Sequence, residues 1–170
     1  MDYLKMKWKV FYGLVDVNHD GIVSSEDTEE TRNNFQAEGV NGAFDQWWNM
    51  CIFFNGPVKG ISETAFLHKL AYEYNKNKQR FMYGNQHCFN LIFHIFDINK
   101  DSSINLNEYI KAFNAFGHDN NEMIKAVFEA HDPPTSGLVP LDAVVSTWVR
   151  FMTEEKIESN DGLTGVFMQN

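Results

Sequence analysis

The sequence predicts an all-α fold in which four helix–loop–helix units form two closely packed lobes. Two observations support this prediction: similar twelve-residue segments recur along the chain, and the apolar residues around them repeat with the period of a helix. The chain has 170 residues, which is enough for one sizeable core or two small lobes. Hydrophobic residues make up 44% of it, which excludes a disordered protein.

The recurring segments fall into two strong and two weak copies. DVNHDGIVSSED at 16–27 is echoed by DINKDSSINLNE at 97–108, and both run Asp, aliphatic, Asn, basic, Asp, with an aliphatic residue at place eight. Weaker copies occupy 54–65 and 132–143, so that strong and weak copies alternate along the chain. Four such units are expected to form two pairs.

The segments that flank the strong copies have helical periodicity, with apolar residues three and four places apart on one face. Two signals mark where the following helices begin: Ser24 with Asp27, and Asn105 with Glu108, each fit an N-cap residue followed by an acid three places later. The residues with helical spacing are Leu4, Trp8, Phe11 and Val15 before the first strong copy, Phe89, Ile92, Phe93 and Phe96 before the second, and Tyr109, Phe113 and Phe116 after it.

Place eight of each copy predicts how the loops pair. The aliphatic residues at this place are expected to face each other, Val23 opposite Ile61 and Ile104 opposite Val139. Each lobe would then contain a short antiparallel β bridge, and each strong loop would be braced by a weak one.

The chain is expected to divide into an N-terminal pair of units at 1–79 and a C-terminal pair at 80–156. The polar segment 75–86 is the candidate linker between them. The remaining residues, 157–170, end in an apolar stretch that is expected to dock on the body of the protein.

The two strong loops have the ligand pattern of a hard divalent cation. Ca²⁺ takes six to eight oxygen ligands, which a curled loop supplies when alternate residues point inward and the next helix provides the last carboxylate. Each loop has three carboxylates that repel one another without a cation, so binding is also expected to stabilise the fold. The expected ligands are the side chains of Asp16, Asn18, Asp20, Ser24 (directly or through a water) and Asp27 with the carbonyl of Ile22, and the side chains of Asp97, Asn99, Asp101, Asn105 and Glu108 with the carbonyl of Ser103.

Individual positions refine this prediction. Asp27 closes the first loop where the usual pattern has Glu, and its shorter side chain favours a six-coordinate site that suits Mg²⁺ as a competitor of Ca²⁺. Ser102 replaces the glycine at place six of the second strong loop, where a positive φ is expected. Of the weak loops, 54–65 has almost no ligand oxygens and 132–143 ends on Ala143, so neither is expected to bind metal.

Composition limits the other functions. The net charge of −9 and the sparse distribution of the 14 Lys and Arg argue against nucleic-acid binding. No apolar run approaches the ~20 residues of a membrane span, the N-terminus has no signal-peptide core, and no catalytic constellation is evident. Cys51 and Cys88, far apart in sequence, are expected to be buried free thiols. We therefore expect a cytoplasmic, non-enzymatic monomer with no obligatory protein target.

The chain resembles the EF-hand superfamily and, within it, the invertebrate sarcoplasmic calcium-binding proteins of molluscan type. The resemblance implies a compact four-hand fold, a location in muscle cytosol (sarcoplasm) and a Ca²⁺ and Mg²⁺ buffering role. The family also includes shellfish allergens, and its metal positions transfer only to the two strong loops. The segments with the closer resemblance are MDYLKMKWKVFYGLVDVNHDGIVSSED, QWWNMCIFF, ISETAF and INLNEYIKAFNAFGH.

Two functions other than a buffer stay open. A Ca²⁺ sensor exposes a groove that is often Met-rich, whereas the seven Met of this chain are scattered and each lobe has one strong loop. A luciferin-binding protein or photoprotein packs four hands around an aromatic cavity, and the four Trp and six Tyr are compatible with that. Large aromatic residues at helical spacing are, however, more often part of a core.

Overall fold

The computed structural model describes residues 1–56, 59–156 and 162–168 and confirms the all-α fold of four helix–loop–helix units. The helices are α1 (Asp2–Val15), α2 (Ser25–Phe35), α3 (Asn41–Trp47), a π-helical turn (Trp48–Ile52), α4 (Glu63–Lys76), α5 (Lys78–Phe96), α6 (Leu106–Ala115), α7 (Asn121–Glu129), α8 (Leu141–Thr153) and α9 (Gly162–Phe167). The strands are β1 (Ile22–Val23), β2 (Ile61–Ser62), β3 (Ser103–Ile104) and β4 (Val139–Pro140). A helix with the length and apolar character required to span a bilayer does not occur among the described residues.

The four strands form the two predicted bridges. β1 pairs antiparallel with β2 and places Val23 opposite Ile61. β3 pairs antiparallel with β4 and places Ile104 opposite Val139. The prediction from place eight is confirmed residue for residue, so each strong loop is joined to a weak loop by backbone hydrogen bonds.

The two lobes share one aromatic core, which confirms that they pack closely. The indole nitrogen of Trp8 on α1 donates a buried hydrogen bond of 2.9 Å to the carbonyl oxygen of Met152 on α8. The rings of Phe11 on α1 and Phe89 on α5 meet edge to face with their centroids 5.9 Å apart. Helices from the first half of the chain therefore bury their apolar faces against helices from the second half.

The segment 75–86 is not a linker, and that prediction is wrong. Only Asn77 separates α4 from α5, and its side-chain oxygen accepts a 2.9 Å hydrogen bond from the backbone N–H of Arg80, as an N-cap residue does. The polar composition reflects an exposed helix face, since the apolar Phe81 of the same segment is buried. A division of the chain at residues 79 and 80 stays a prediction.

Cys51 and Cys88 form a disulfide, so the prediction of two free thiols is wrong. Cys51 lies in the π-helical turn and Cys88 in α5, with their Cα atoms 5.9 Å apart, a separation suited to a disulfide. The indole of Trp47 also donates a 3.0 Å hydrogen bond to the carbonyl oxygen of Cys88. The separation of 37 positions conceals this proximity in the sequence, because it arises only when α3 and its π-helical continuation pack on α5.

The described part of the C-terminal segment packs on α7 and α8. Leu163 is fully buried, and the ring of Phe167 contacts that of Trp148 at 6.2 Å between centroids. Residues 157–161 and 169–170 of the segment predicted to dock lie outside the described residues.

Gly117, which follows α6, is where the second half of the chain contacts the first strong loop. Its φ is +80°, and a Cβ added there would lie 2.5 Å from the carbonyl oxygen of Val17. The neighbouring His118 places its Nε2 3.0 Å from the carbonyl oxygen of Leu14, and His19 places its Nε2 3.3 Å from that of Gly117. The first strong loop therefore contacts the C-terminal end of α6, the helix that follows the second strong loop.

Gly117→Ala is expected to lower the free energy of unfolding by about 2–4 kcal/mol, because it combines an unfavourable positive φ with a steric clash. Gly137→Ala is the matched control: its φ is +72° but no heavy atom lies within 4 Å of the added Cβ. We expect this control to cost only about 1 kcal/mol. Urea unfolding of both variants measures the difference, and equal losses would contradict the close approach of Gly117 to Val17.

Candidate metal sites

The first strong loop, 16–27, is held by hydrogen bonds from its backbone to its acidic side chains. The Oδ2 atom of Asp16 accepts from Gly21 N–H at 3.0 Å, and the Oδ1 atom of Asp20 accepts from Ile22 N–H at 2.8 Å. Asp27, in the first turn of α2, accepts from Val17 N–H at 2.8 Å through Oδ1. These bonds curl the loop and keep its oxygens together.

One buried side-chain oxygen of this loop is left without a hydrogen bond. The Oδ1 atom of Asp16 is buried and has no hydrogen-bond partner, although burying such an atom is unfavourable unless it is compensated. A cation bound within the loop would provide that compensation. The remaining predicted ligands are carboxylate, amide, hydroxyl and carbonyl oxygens, which is the donor set that Ca²⁺ and Mg²⁺ prefer. The residues present therefore fit a hard divalent cation.

The second strong loop, 97–108, repeats the same hydrogen bonds. Asp97 accepts from Ser102 N–H at 3.1 Å, and Asp101 accepts from Ser103 N–H at 2.8 Å. Glu108 accepts from Ile98 N–H at 3.1 Å through Oε1. Each matches a bond of the first loop within 0.3 Å. The two loops are therefore structurally equivalent despite the different length of their closing acids.

The start of the helix after each loop has the predicted capping arrangement. The hydroxyl of Ser24 and the amide oxygen of Asn105 each cap a helix, while Asp27 and Glu108 accept from the backbone N–H of those residues at 2.7 and 3.0 Å. A carboxylate has about four lone-pair positions, so a closing acid that caps a helix can still coordinate a cation.

Place six of the loops requires a left-handed backbone. Gly21 has a φ of +87°, and Gly137 in the weak loop 132–143 has a φ of +72°. Ser102 adopts a φ of +62° at the equivalent place of the second strong loop, which is strained for a residue with a Cβ. The same left-handed turn therefore forms whether glycine or serine occupies place six.

The closing acid of the first loop is more buried than a typical carboxylate. Asp27 has no exposed surface, and this burial raises its pKa, an effect that hydrogen bonds from Ser24, Asn18 and Val17 oppose and the charge of Asp16 reinforces. Protons and cations therefore compete for the Asp27 carboxylate.

Asp27→Glu is expected to shift the selectivity of the first loop toward Ca²⁺ over Mg²⁺ by about tenfold, since the longer side chain can present both oxygens to the larger ion. The chain provides a reciprocal control, because Glu108→Asp in the equivalent loop should shift selectivity in the opposite direction. Calorimetric titration with each ion measures the ratio of affinities. Unchanged selectivity in both variants would show that the closing acid does not set the preference.

The two weak loops lack these features. In the weak loop 132–143, Pro134 and Pro140 occupy ligand places and Ala143 replaces the closing acid. Residues 57 and 58 of the weak loop 54–65 lie outside the described part of the chain. Within residues 1–56, 59–156 and 162–168, no three His, Cys, Asp or Glu side chains converge as a ready-made cluster. A cation in either strong loop would therefore have to be held by a mixed set of amide, carbonyl and carboxylate oxygens.

Tyr12 supports the first loop, and sequence reasoning missed this role. Its hydroxyl lies 2.6 Å from the carbonyl oxygen of Ile61 and 3.0 Å from that of Gly21, and it accepts from Val23 N–H at 3.2 Å. The hydroxyl thus connects the first strong loop, 16–27, to the weak loop 54–65. Its place one helical turn before Asp16, on the buried face of α1, is the only signal in the sequence.

A buried polar cluster lies behind the second strong loop. The Tyr109 hydroxyl lies 2.6 Å from His131 Nε2 and accepts a 3.2 Å hydrogen bond from the indole of Trp148. Burial lowers the pKa of His131 to about 4 and raises the pKa of Tyr109 well above its ordinary value. His131 is therefore neutral at physiological pH.

The pKa of His131 predicts a pH-dependent stability. The unfolded chain binds a proton near pH 6.5 whereas the folded chain binds it only near 4, so stability is complete above pH 6.5 and is lost as the pH falls to about 4. The expected loss is about 3 kcal/mol. Urea unfolding of the wild type and of His131→Gln across this range isolates the contribution, and parallel pH profiles would contradict it.

The comparisons with known proteins agree with this geometry. No family model matches the chain. The sarcoplasmic calcium-binding protein of Mizuhopecten yessoensis is 41% identical over 175 residues, in an alignment that covers 98% of each chain. The chain belongs to the sarcoplasmic calcium-binding protein family. Members of this family bind calcium and are not enzymes, which confirms both sequence predictions.

Solved structures support the same fold. The sarcoplasmic calcium-binding protein from amphioxus has a TM-score of 0.62 at 16% identity, with 97% of each chain covered. The calcium-loaded apo form of the coelenterazine-binding protein from Renilla muelleri has a TM-score of 0.74 at 21% identity, covering 98% of this chain and 94% of its own. At these identities the likeness shows the EF-hand fold alone.

Proposed function

We propose that the protein is a soluble Ca²⁺ buffer with two sites, 16–27 and 97–108, which Mg²⁺ also occupies. The observation that supports this proposal is the hydrogen-bonded geometry shared by the two loops, together with the fit of their oxygens to a hard cation. The proposed ligands are the side chains of Asp16, Asn18, Asp20, Ser24 and Asp27 with the carbonyl of Ile22, and those of Asp97, Asn99, Asp101, Asn105 and Glu108 with the carbonyl of Ser103.

The joined lobes favour a buffer over a sensor. A sensor opens each lobe on binding and exposes an apolar groove. Here such opening would break the buried hydrogen bond between Trp8 and Met152 and separate the rings of Phe11 and Phe89. The large energetic cost of exposing this core makes a closed protein the favoured state in both the metal-free and the metal-bound form.

The cavity between Trp47 and Trp148 is too small for a luciferin. The central cavity among the aromatic residues, bounded by Trp47, Phe113 and Trp148, has a volume of about 70 Å³. That is room for about two water molecules, whereas sites for organic ligands of that class occupy roughly 300 Å³ or more. This cavity therefore does not support a photoprotein function, whereas a separate cavity of about 390 Å³ reaches the volume of an organic-ligand site and is tested by titration.

We propose that the protein is cytoplasmic in muscle, which the sarcoplasmic relative from Mizuhopecten yessoensis supports, and that it is a monomer. The Cys51–Cys88 bond is unusual for a reducing compartment, so the redox state of this pair in the cell tests the location directly. Differential thiol labelling of freshly lysed muscle reports that state, and sedimentation of the purified protein reports the oligomeric state.

Calorimetric titration with Ca²⁺, with and without millimolar Mg²⁺, tests the proposed buffer. We expect two Ca²⁺ ions per chain and a lower apparent Ca²⁺ affinity in Mg²⁺. A third strong site would contradict the prediction that the weak loop 132–143 binds no metal. Ca²⁺ binding that Mg²⁺ does not affect would contradict the proposed buffer function.

Two further titrations separate the alternatives. A large Ca²⁺-dependent rise in ANS fluorescence that Mg²⁺ does not produce would support a sensor, and we expect none. A titration with coelenterazine that shows no binding would exclude the luciferin-binding alternative, and saturable binding would support it.

A further inference from the structure

A cavity of about 390 Å³ lies among α3, the π-helical turn, α4 and α5. Its volume falls within the roughly 300–1,000 Å³ typical of sites for small organic ligands. None of the twelve proposed metal ligands lines it. The cavity is therefore separate from both candidate metal sites and from the small central cavity.

The walls of this cavity are mostly apolar, with Asn77, Asn85 and His87 among the polar lining residues, and a covalent bond holds part of them in place. The disulfide between Cys51 and Cys88 forms part of the wall and ties the π-helical turn to α5. A wall that is fixed before binding reduces the ordering cost of a ligand. The apolar lining includes Phe11, Trp47, Phe54, Phe66, Leu70 and Phe89.

The exposed rim of the cavity has an excess of positive charge. Lys76, at the end of α4, and Arg80, at the start of α5, both line the cavity and are exposed, and no carboxylate among the described residues pairs with either. The acid on the rim, Glu73, forms an ion pair of 3.1 Å with Lys69. An unneutralised basic rim is notable in a chain with a net charge of −9.

We propose that this cavity binds one free fatty-acid-like molecule, with its hydrocarbon chain against the aromatic walls and its carboxylate paired with Arg80 and Lys76. An apolar interior below a basic rim matches the two parts of such an amphiphile. A water molecule, which is close to a methylene group in size, takes about 30 Å³, so 390 Å³ suits a chain of about a dozen carbons.

Titration of the calcium-loaded full-length protein, freed of excess Ca²⁺, with dodecanoate tests the proposal. We expect saturable binding of one dodecanoate per chain and a change in tryptophan fluorescence, since Trp47 lines the cavity. Dodecyltrimethylammonium, which has the same chain and a positive head, should bind at least about tenfold more weakly. Equal affinity for the two amphiphiles, or binding that does not saturate, would overturn the proposal.

Two variants test the rim and the interior separately. Arg80→Gln is expected to weaken dodecanoate about tenfold and to leave the cationic amphiphile unaffected or tighter. Gly84→Leu should narrow the cavity, because Gly84 lines it and no heavy atom lies within 4 Å of an added Cβ. Gly13→Leu, on the exposed face of α1 with the same free space, is the matched control and should bind normally. All three should keep the wild-type Ca²⁺ stoichiometry.

Vesicles distinguish a free amphiphile from a lipid surface. We expect the protein to stay in the supernatant when it is sedimented with vesicles of phosphatidylcholine and phosphatidylserine. Pelleting that Arg80→Gln abolishes would show that the basic rim contacts a membrane and would overturn the proposal of a free ligand. Wild-type dodecanoate affinity in both Arg80→Gln and Gly84→Leu would likewise overturn it.

Discussion

Glu108→Gln is expected to weaken Ca²⁺ binding at the second strong loop by at least about 100-fold, since even the loss of an outer-shell partner typically costs 10- to 100-fold in metal affinity. The substitution removes one of three carboxylates that surround the cation. Its amide oxygen can still accept from the backbone N–H of Asn105, which Glu108 now contacts at 3.0 Å, so the start of α6 should be preserved. The other terminal atom becomes an NH₂ group that faces the N–H of Ile98, which now donates to Oε1 at 3.1 Å, so one hydrogen bond of the loop is lost. This loss and the relief of repulsion among the carboxylates oppose each other in the metal-free protein, so the main effect is expected on binding.

Calorimetry should show the stoichiometry of Glu108→Gln falling from two Ca²⁺ ions to one. Glu122→Gln is the matched control, because Glu122 also lies in the first turn of a helix, α7, but is exposed and belongs to no loop. It should bind two ions with wild-type affinity. Two intact sites in Glu108→Gln would mean that 97–108 is not closed by this residue.

The metal-free form of Glu108→Gln provides a second measurement. Because relief of repulsion among the carboxylates opposes the loss of the hydrogen bond, its thermal stability in EDTA should stay close to that of the wild type, while its stabilisation by Ca²⁺ should decrease. A variant that is already destabilised in EDTA would indicate that the capping contact, and not metal binding, is the main contribution of Glu108.

Removal of the Cys51–Cys88 bond is expected to lower the free energy of unfolding by about 3–4 kcal/mol, the value for a closed loop of this length in the chain-entropy model. The bond restricts the unfolded chain and also joins the π-helical turn to α5. Urea unfolding of the oxidised protein and of the Cys51→Ser, Cys88→Ser double variant measures the difference.

Reductant provides the control for this prediction. Dithiothreitol should destabilise the wild type by a similar amount and leave the double variant unchanged. The Ca²⁺ stoichiometry should stay at two throughout, because neither cysteine lies in a strong loop. Equal stability of the oxidised and reduced proteins would show that packing of α3 on α5 alone holds this region.

The local features of the loops were predictable from the sequence. The spacing of Asp16, Asp20 and Asp27 within one short segment, and its repetition at 97–108, predicted the curled loops whose hydrogen bonds the structure shows. The aliphatic residue at place eight predicted both β bridges. These features depend on contacts within one loop or between two equivalent loops, so the residue pattern contains them.

Composition, in contrast, was misleading where a helix was exposed. The segment 75–86 is polar because most of its residues face solvent, and polarity alone does not distinguish a helix surface from a linker. The single residue Asn77 both ends α4 and caps α5. A capping residue between two helical patterns was the relevant signal.

The sequence by itself determined the helix–loop–helix units, their pairing and the oxygen-rich loops, because these follow from short-range spacing and from internal repetition. Only the tertiary structure decided the disulfide, the approach of Gly117 to the first loop and the cavity with the basic rim. The disulfide joins residues that are 37 positions apart, and the contact between His19 and Gly117 joins residues that are 98 positions apart. Their geometry depends on how helix faces pack into one aromatic core, and many pairings of such faces are compatible with the same periodicity.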